Sequence, residues 1–152
     1  MRIFFLLIFF TQLSVYSQNP TIESFTEGFQ KKNGFIDYYW DDDKGRLYIE
    51  VKELEKEFLY VNYLSAGVGS NDIGLDRGQI GGTRIIKFVK KGPKVLMVQP
   101  NYKYRAVSYN NEEVKSVSDA FAKSTIWGFK VVASSNQSIL IDATEFILRD
   151  SH

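Results

Sequence analysis

Cysteine is absent from this chain, and histidine occurs once, as the terminal residue His152. The first absence excludes disulfides and thiolate metal sites, so stability has to come from packing. Both absences together exclude the common zinc sites, which draw on several His or Cys ligands converging on one ion. They also exclude a Ser or Cys nucleophile activated by a neighbouring imidazole. Charge of one sign is missing as well: 19 basic residues face 18 acidic ones, for a net charge of +1. A nucleic-acid binder would show a basic excess or stripe, so no nucleic-acid partner is expected. Long apolar runs are confined to Ile3–Phe10, where Thr11, Gln12 and Ser14 interrupt well short of the roughly 20 residues a membrane helix needs. No stable membrane span is expected.

That short run has a different meaning. Arg2 supplies a positive start, Ile3–Phe10 an apolar centre, and Val15 and Ser17 the small-residue positions before a cut between Ser17 and Gln18. This order is that of a secretory signal peptide. The expected organisation is a signal peptide over residues 1–17, a polar lead-in over 18–33 and one domain over 34–152, in a secreted or periplasmic protein.

What is abundant is aromatic: twelve Phe, nine Tyr and two Trp. Phe25 and Phe29, four apart, suggest a short helix over about Ile22–Lys31 ended by Gly34. Phe35–Trp40 and Arg46–Val51 read as a hairpin around the turn Asp41–Gly45. After the charged connector Glu53–Glu57, KEFLYVNYL is apolar on both alternating faces, as in a strand covered on both sides. Further strands are expected at Arg84–Lys90, Lys94–Gln99, Tyr102–Val107, Ile126–Ala133 and Ser138–Asp142. Asn110 and Asn111 can cap a helix running to about Lys123, with Glu112 and Glu113 at its positive end and Val114, Val117, Phe121 and Ala122 on one face. The terminal ATEFILRDSH suits either a helical turn or a strand. The fold class expected is α+β: a mainly antiparallel β-sheet with one packed amphipathic helix over about Asn111–Lys123.

Six of the eleven glycines fall between Gly67 and Gly82. The stretch AGVGSNDIGLDRGQIGGTR has two glycines of a dinucleotide fingerprint but lacks the third and the helix that should follow. It also lacks the Gly-Lys-Ser/Thr of a phosphate loop. Asn71, Asp72 and Asp76 offer the hard oxygens that calcium prefers, although no second copy of the stretch exists. As a connection from Ser65 to Gly82 it is long for a compact domain, which favours a task. Ile73, Leu75 and Ile80 are spaced as buried anchors. The candidate interface or binding loop is therefore Gly67, Gly69, Asn71, Asp72, Asp76, Arg77, Gln79 and Arg84. No catalytic, cofactor-binding or metal-ligating residue is assigned. Carboxylate pairs remain: Asp142 with Glu145, and Asp41, Asp42 and Asp43. A strand end and a solvated turn explain these more simply than acid–base chemistry. Asn136-Gln137-Ser138 matches a glycosylation acceptor.

The segments GFIDYYWDDDKGRLYIEV, KEFLYVNYLSAGVGSNDIGLDRGQIGGTRIIKF, GPKVLMVQPNYKYRA, AFAKSTIWGFKVVA and LIDATEFILRD follow one another in order. Together, over roughly Ser24 to His152, they resemble the N-terminal region of secreted zinc-dependent metalloproteases of Bacteroidetes-type bacteria. In that family this region is a domain of unknown function. The resemblance implies that catalysis belongs to a separate C-terminal domain with an HExxH helix extended by a third histidine, whose two spaced His bind Zn²⁺ while the Glu activates water. No position here matches that motif. The expectation is a non-catalytic accessory domain, incomplete at its C-terminal side, whose partner is the missing catalytic domain and whose only implied cofactor is that domain's zinc. Phe146, Ile147 and Leu148 so near the terminus fit a chain that continues. Two alternatives stand beside it: a binding module gripping a glycan or peptide with Tyr38, Tyr39, Trp40, Tyr102 and Tyr104, and a structural domain stabilised by calcium through Asp72 and Asp76.

Overall fold

A computed structural model describes residues 19–64, 66, 67, 69, 71–73, 78–104 and 106–149. The expected signal peptide lies outside the described residues. The strands are β1 (Gln30–Lys32), β2 (Asp37–Asp41), β3 (Arg46–Val51), β4 (Glu57–Tyr63), β5 (Ile80–Lys91), β6 (Lys94–Gln99), β7 (Ser124–Ser134) and β8 (Ile139–Asp142). The helices are α1 (Ile22–Phe25), α2 (Asn111–Ala120) and α3 (Thr144–Ile147), with a 3₁₀ turn at Asn71–Ile73. All eight strands join one antiparallel sheet in the order β1-β2-β3-β8-β7-β6-β5-β4.

Connectivity dictates curvature. β3 and β4 are consecutive in the chain, yet four strands separate them in the sheet. The six Cα steps from Val51 to Glu57 reach at most about 21 Å, whereas the five strand spacings of a flat sheet come to about 24 Å. The sheet is instead curled into a half-barrel, so a short connector suffices. Glu55 turns that connector with φ of 59°, and its N–H donates to the Phe88 carbonyl at 2.8 Å. Lys87 Nζ donates to the Glu55 carboxylate at 2.6 Å, which holds that carboxyl below its ordinary range.

Two apolar clusters stabilise the sheet. Val51, Ile86, Phe88, Val95, Met97, Phe129, Val131, Ile139, Ile141, Ala143 and Phe146 form the main core. The Phe129 ring meets Phe88 at 6.1 Å and Phe146 at 5.3 Å, both edge-on, as aromatic quadrupoles favour. Phe146 belongs to α3, so the described part of the C-terminal segment forms a helical turn. On the opposite face Ile22, Tyr39, Tyr48, Ala133 and Leu140 make a second cluster. The lead-in covers it: Phe25 meets Tyr48 edge-on and Phe29 stacks on the same ring.

Several expectations are corrected. The helix expected to reach Lys31 stops at Phe25, with Gly28 at φ +85° before β1. The four-residue spacing of Phe25 and Phe29 serves a turn that brings both rings to Tyr48. No strand forms over Tyr102–Val107 among the described residues. Asn101 Oδ1 accepts from the Lys103 and Tyr104 N–H groups, competing with ladder formation. β4 is not covered on both sides, since its exposure alternates. Helix α2 does form, capped by Asn110 Oδ1 accepting from the Glu112 N–H. It ends at Ala120, however, and none of its residues is buried, so it is not the packed helix expected.

Candidate interaction surface

The glycine-rich stretch is the end of a hairpin. β4 and β5 pair with Glu57 opposite Lys87, Leu59 opposite Ile85, Val61 opposite Thr83 and Tyr63 opposite Ile80. β5 pairs with β6 only from Lys87 onward, so residues 57–63 and 80–86 form a two-stranded arm reaching past the β6 ladder. The ladder continues as the Leu64 N–H donates to the Gln79 carbonyl at 3.0 Å and the Gly78 N–H to the Leu64 carbonyl at 2.7 Å. The connection is therefore shorter than Ser65–Gly82, because Gly81 and Gly82 belong to β5.

Local chemistry explains two of the glycines. Gly78 takes φ +79°, which L side chains rarely adopt. Gly81 lies beneath the Asn62 amide, where a Cβ would come within 2.9 Å of its Oδ1 and Nδ2. A register shift lies at the same place, between Val61 and Tyr63. Such an irregularity bends and twists a strand locally.

One face of the arm is apolar and exposed, with the Tyr102 hydroxyl donating to Glu57 at its base. Phe58 and Tyr60 turn toward the core, Tyr60 meeting Phe146 at 6.0 Å. The alternate residues face away: Leu59 is 63% exposed, Tyr63 68% and Ile80 68%, with Val61 and Ile85 also exposed. Ile73, at the tip, is exposed too. Ile73 and Ile80 are thus not the buried anchors expected, and Leu75 lies outside the described residues. A run of exposed apolar side chains on one face marks an interaction site more often than a solvated surface does.

Gly67, Gly69, Asn71 and Asp72 lie along the tip, Gly69 with φ +71° and Asp72 exposed in the 3₁₀ turn. Asp76 and Arg77 lie outside the described residues. Gln79 immediately precedes β5, at the tip end of the arm. Arg84 is opposite Tyr60 and lines a cavity of about 360 Å³ with Thr83, Ile85, Tyr102, Lys103 and Ser124. The described residues among those singled out by sequence lie on one arm, and the apolar side chains beside them were the feature overlooked. Their alternation in KEFLYVNYL was visible, but it suggested burial.

Other constellations are structural. On the second face, Lys52 Nζ donates to Asp37 Oδ2 at 2.6 Å and the Gly34 N–H to Asp37 Oδ1 at 3.0 Å, holding that carboxyl below its ordinary range. Glu50 accepts from the Tyr39 hydroxyl at 2.8 Å and the Ser138 hydroxyl at 2.6 Å. Burial pushes the Tyr39 phenol up, and Tyr39 is not the exposed binding aromatic expected. Asp41 accepts from the Lys44 N–H in the hairpin turn, and Asp42 from the Trp40 indole. Asp142 binds the Thr144 hydroxyl and pairs with Arg46 at 3.4 Å. For a zinc ion the chain supplies one imidazole and no thiol. Among the described residues no group of three His, Cys, Asp or Glu side chains could hold a metal ion, and no helix is long and apolar enough to cross a membrane.

Residues 78–152 match the family model described as a domain of unknown function, DUF5117. The match takes in β5 through α3 and starts at the tip of the arm. No curated protein and no solved structure matches the chain.

Proposed function

We propose that this chain is a non-catalytic accessory domain of a secreted zinc-dependent metalloprotease, and that the β4–β5 arm is the face it presents to the catalytic domain. The observation that carries the docking role is the row Leu59, Val61, Tyr63, Ile80 and Ile85 on a projecting two-stranded arm. A two-stranded ribbon is marginal in water by itself, and burying apolar side chains against a partner would stabilise it. The protease assignment is supported by the family resemblance of the sequence. The absence of a histidine or thiol ligand set in this chain supports a role outside the chemistry.

The test is titration calorimetry of the purified chain against a separately produced HExxH domain of the resembled family. A saturable complex is expected, weakened at least tenfold by the double substitution Leu59→Asp and Tyr63→Asp. Equal affinity with and without that substitution would remove the arm from the interface.

A further inference from the structure

The two edges of the half-barrel are treated differently. β1 is three residues long, and two of the three are lysines, which blunts an edge against pairing. β4 at the other edge is seven residues long, carries neither Pro nor Lys, and has β5 as its single ladder partner among the described residues. An edge strand presents a row of alternating N–H and C=O groups, and only another extended backbone answers that row along its length. A cavity of about 290 Å³ opens at the start of the same strand. Phe35, Ile36, Val51, Phe58 and Phe88 give it an apolar lining, with Lys52 and Lys56 among its charged residues. Phe58 belongs to both features, and its ring meets Phe35 at 6.1 Å and Phe88 at 5.3 Å.

We propose that β4 binds an extended polypeptide segment as a ninth strand, with one apolar side chain of that segment seated in the cavity between Phe35, Phe58 and Phe88. Ladder hydrogen bonds give affinity in this mode, and a pocket for an alternate side chain gives selectivity. The lysines there are already engaged, Lys52 with Asp37 and Lys56 with Glu53, so the cavity selects for apolar bulk rather than charge. A second copy of the chain is the less suited occupant. The irregularity between Val61 and Tyr63 confines regular pairing to Glu57–Val61, beside the cavity, a length that suits a short segment better than a whole second edge. The inference rests on reading the chain as an interaction domain and adds the class of ligand: an unfolded peptide with alternating apolar residues, apt for a protein that would deliver substrate.

The experiment uses fluorescein-labelled decapeptides of alternating Val and Thr, lysine at both ends, with a single Phe placed at each position in turn. Binding to the full chain is read by anisotropy. Saturable binding that depends on the Phe position is expected. N-methylation of one alternate set of peptide amides should weaken it at least tenfold, while methylation of the other set leaves it within twofold. Phe35→Ala, at a residue 85% exposed, should erase the Phe preference without unfolding the chain. Alternate β4 amides should shift in ¹H–¹⁵N spectra on titration. Absence of binding, binding indifferent to methylation, or a chain dimer abolished by Val61→Lys would overturn the proposal. Peptide binding that survives Leu59→Asp with Tyr63→Asp, alongside failure to bind the catalytic domain, would sink the docking role and leave this inference standing.

Discussion

Leu59 and Ile86 lie near one another on opposite strands of the same hairpin, yet truncating them should have different consequences. Ile86 is fully buried among Phe88, Val95 and Phe129 in the main core. Ile→Ala at such a site costs about 2–5 kcal/mol, the transfer free energy plus that of the cavity left behind. Leu59 is 63% exposed, so only about a third of its side-chain burial is at stake. Full burial of a leucine contributes about 1.5–3 kcal/mol, which puts Leu59→Ala near 0.5–1 kcal/mol. Loss of the cross-strand contact with Ile85 belongs within that range. Urea denaturation followed by the fluorescence of Trp40 and Trp127 reads both on one chain. The expected gap is about 1–4 kcal/mol, with the slope against denaturant unchanged. If Leu59→Ala costs as much as Ile86→Ala, the arm face is covered within the chain itself and the argument for a partner collapses.

Acid stability provides a second expectation. Asp37 has its carboxyl held low by Lys52, so its contribution is present above the unfolded value near 4 and is lost as pH falls through the lower folded value. Wild type and Asp37→Asn should therefore differ most around neutrality and converge as pH falls below about 4, by urea titration at each pH. Gly78→Val forces a β-branched residue to φ +79° and should lower the melting temperature, whereas Gly28→Asn, at φ +85° with open space around it, should be tolerated far better. Hydrogen exchange should be faster in α2, which has no buried residue, than in the β7 segment around Phe129. Equal protection in the two would mean that something covers the helix.

The sheet was legible in the sequence because its strands carry local signals. Arg46–Val51 follows the Gly45 turn, Lys94–Gln99 lies between Gly92-Pro93 and Pro100, and both have the bounds expected of them. Where local pattern misled, a longer-range contact decided. Phe25 and Phe29 looked helical, but Tyr48, distant in the chain, draws both rings to itself. Tyr102–Val107 alternates like a strand, yet Asn101 captures the N–H groups that a ladder would use. The curl is not written in any one segment. It follows from pairing β3 with β8, a contact between residues around 50 and 140 that no window of sequence contains. The arm was half legible: its glycines marked the place, but an alternating apolar strand looks the same whether it is buried in the chain or kept for a partner.

Calorimetric titration of the chain into an HExxH-type catalytic domain, with wild type beside the Leu59→Asp and Tyr63→Asp double variant, tests the central claim most directly. A saturable complex that loses at least tenfold in affinity on substitution is predicted. No heat of binding, or a complex that ignores those two residues, would contradict it.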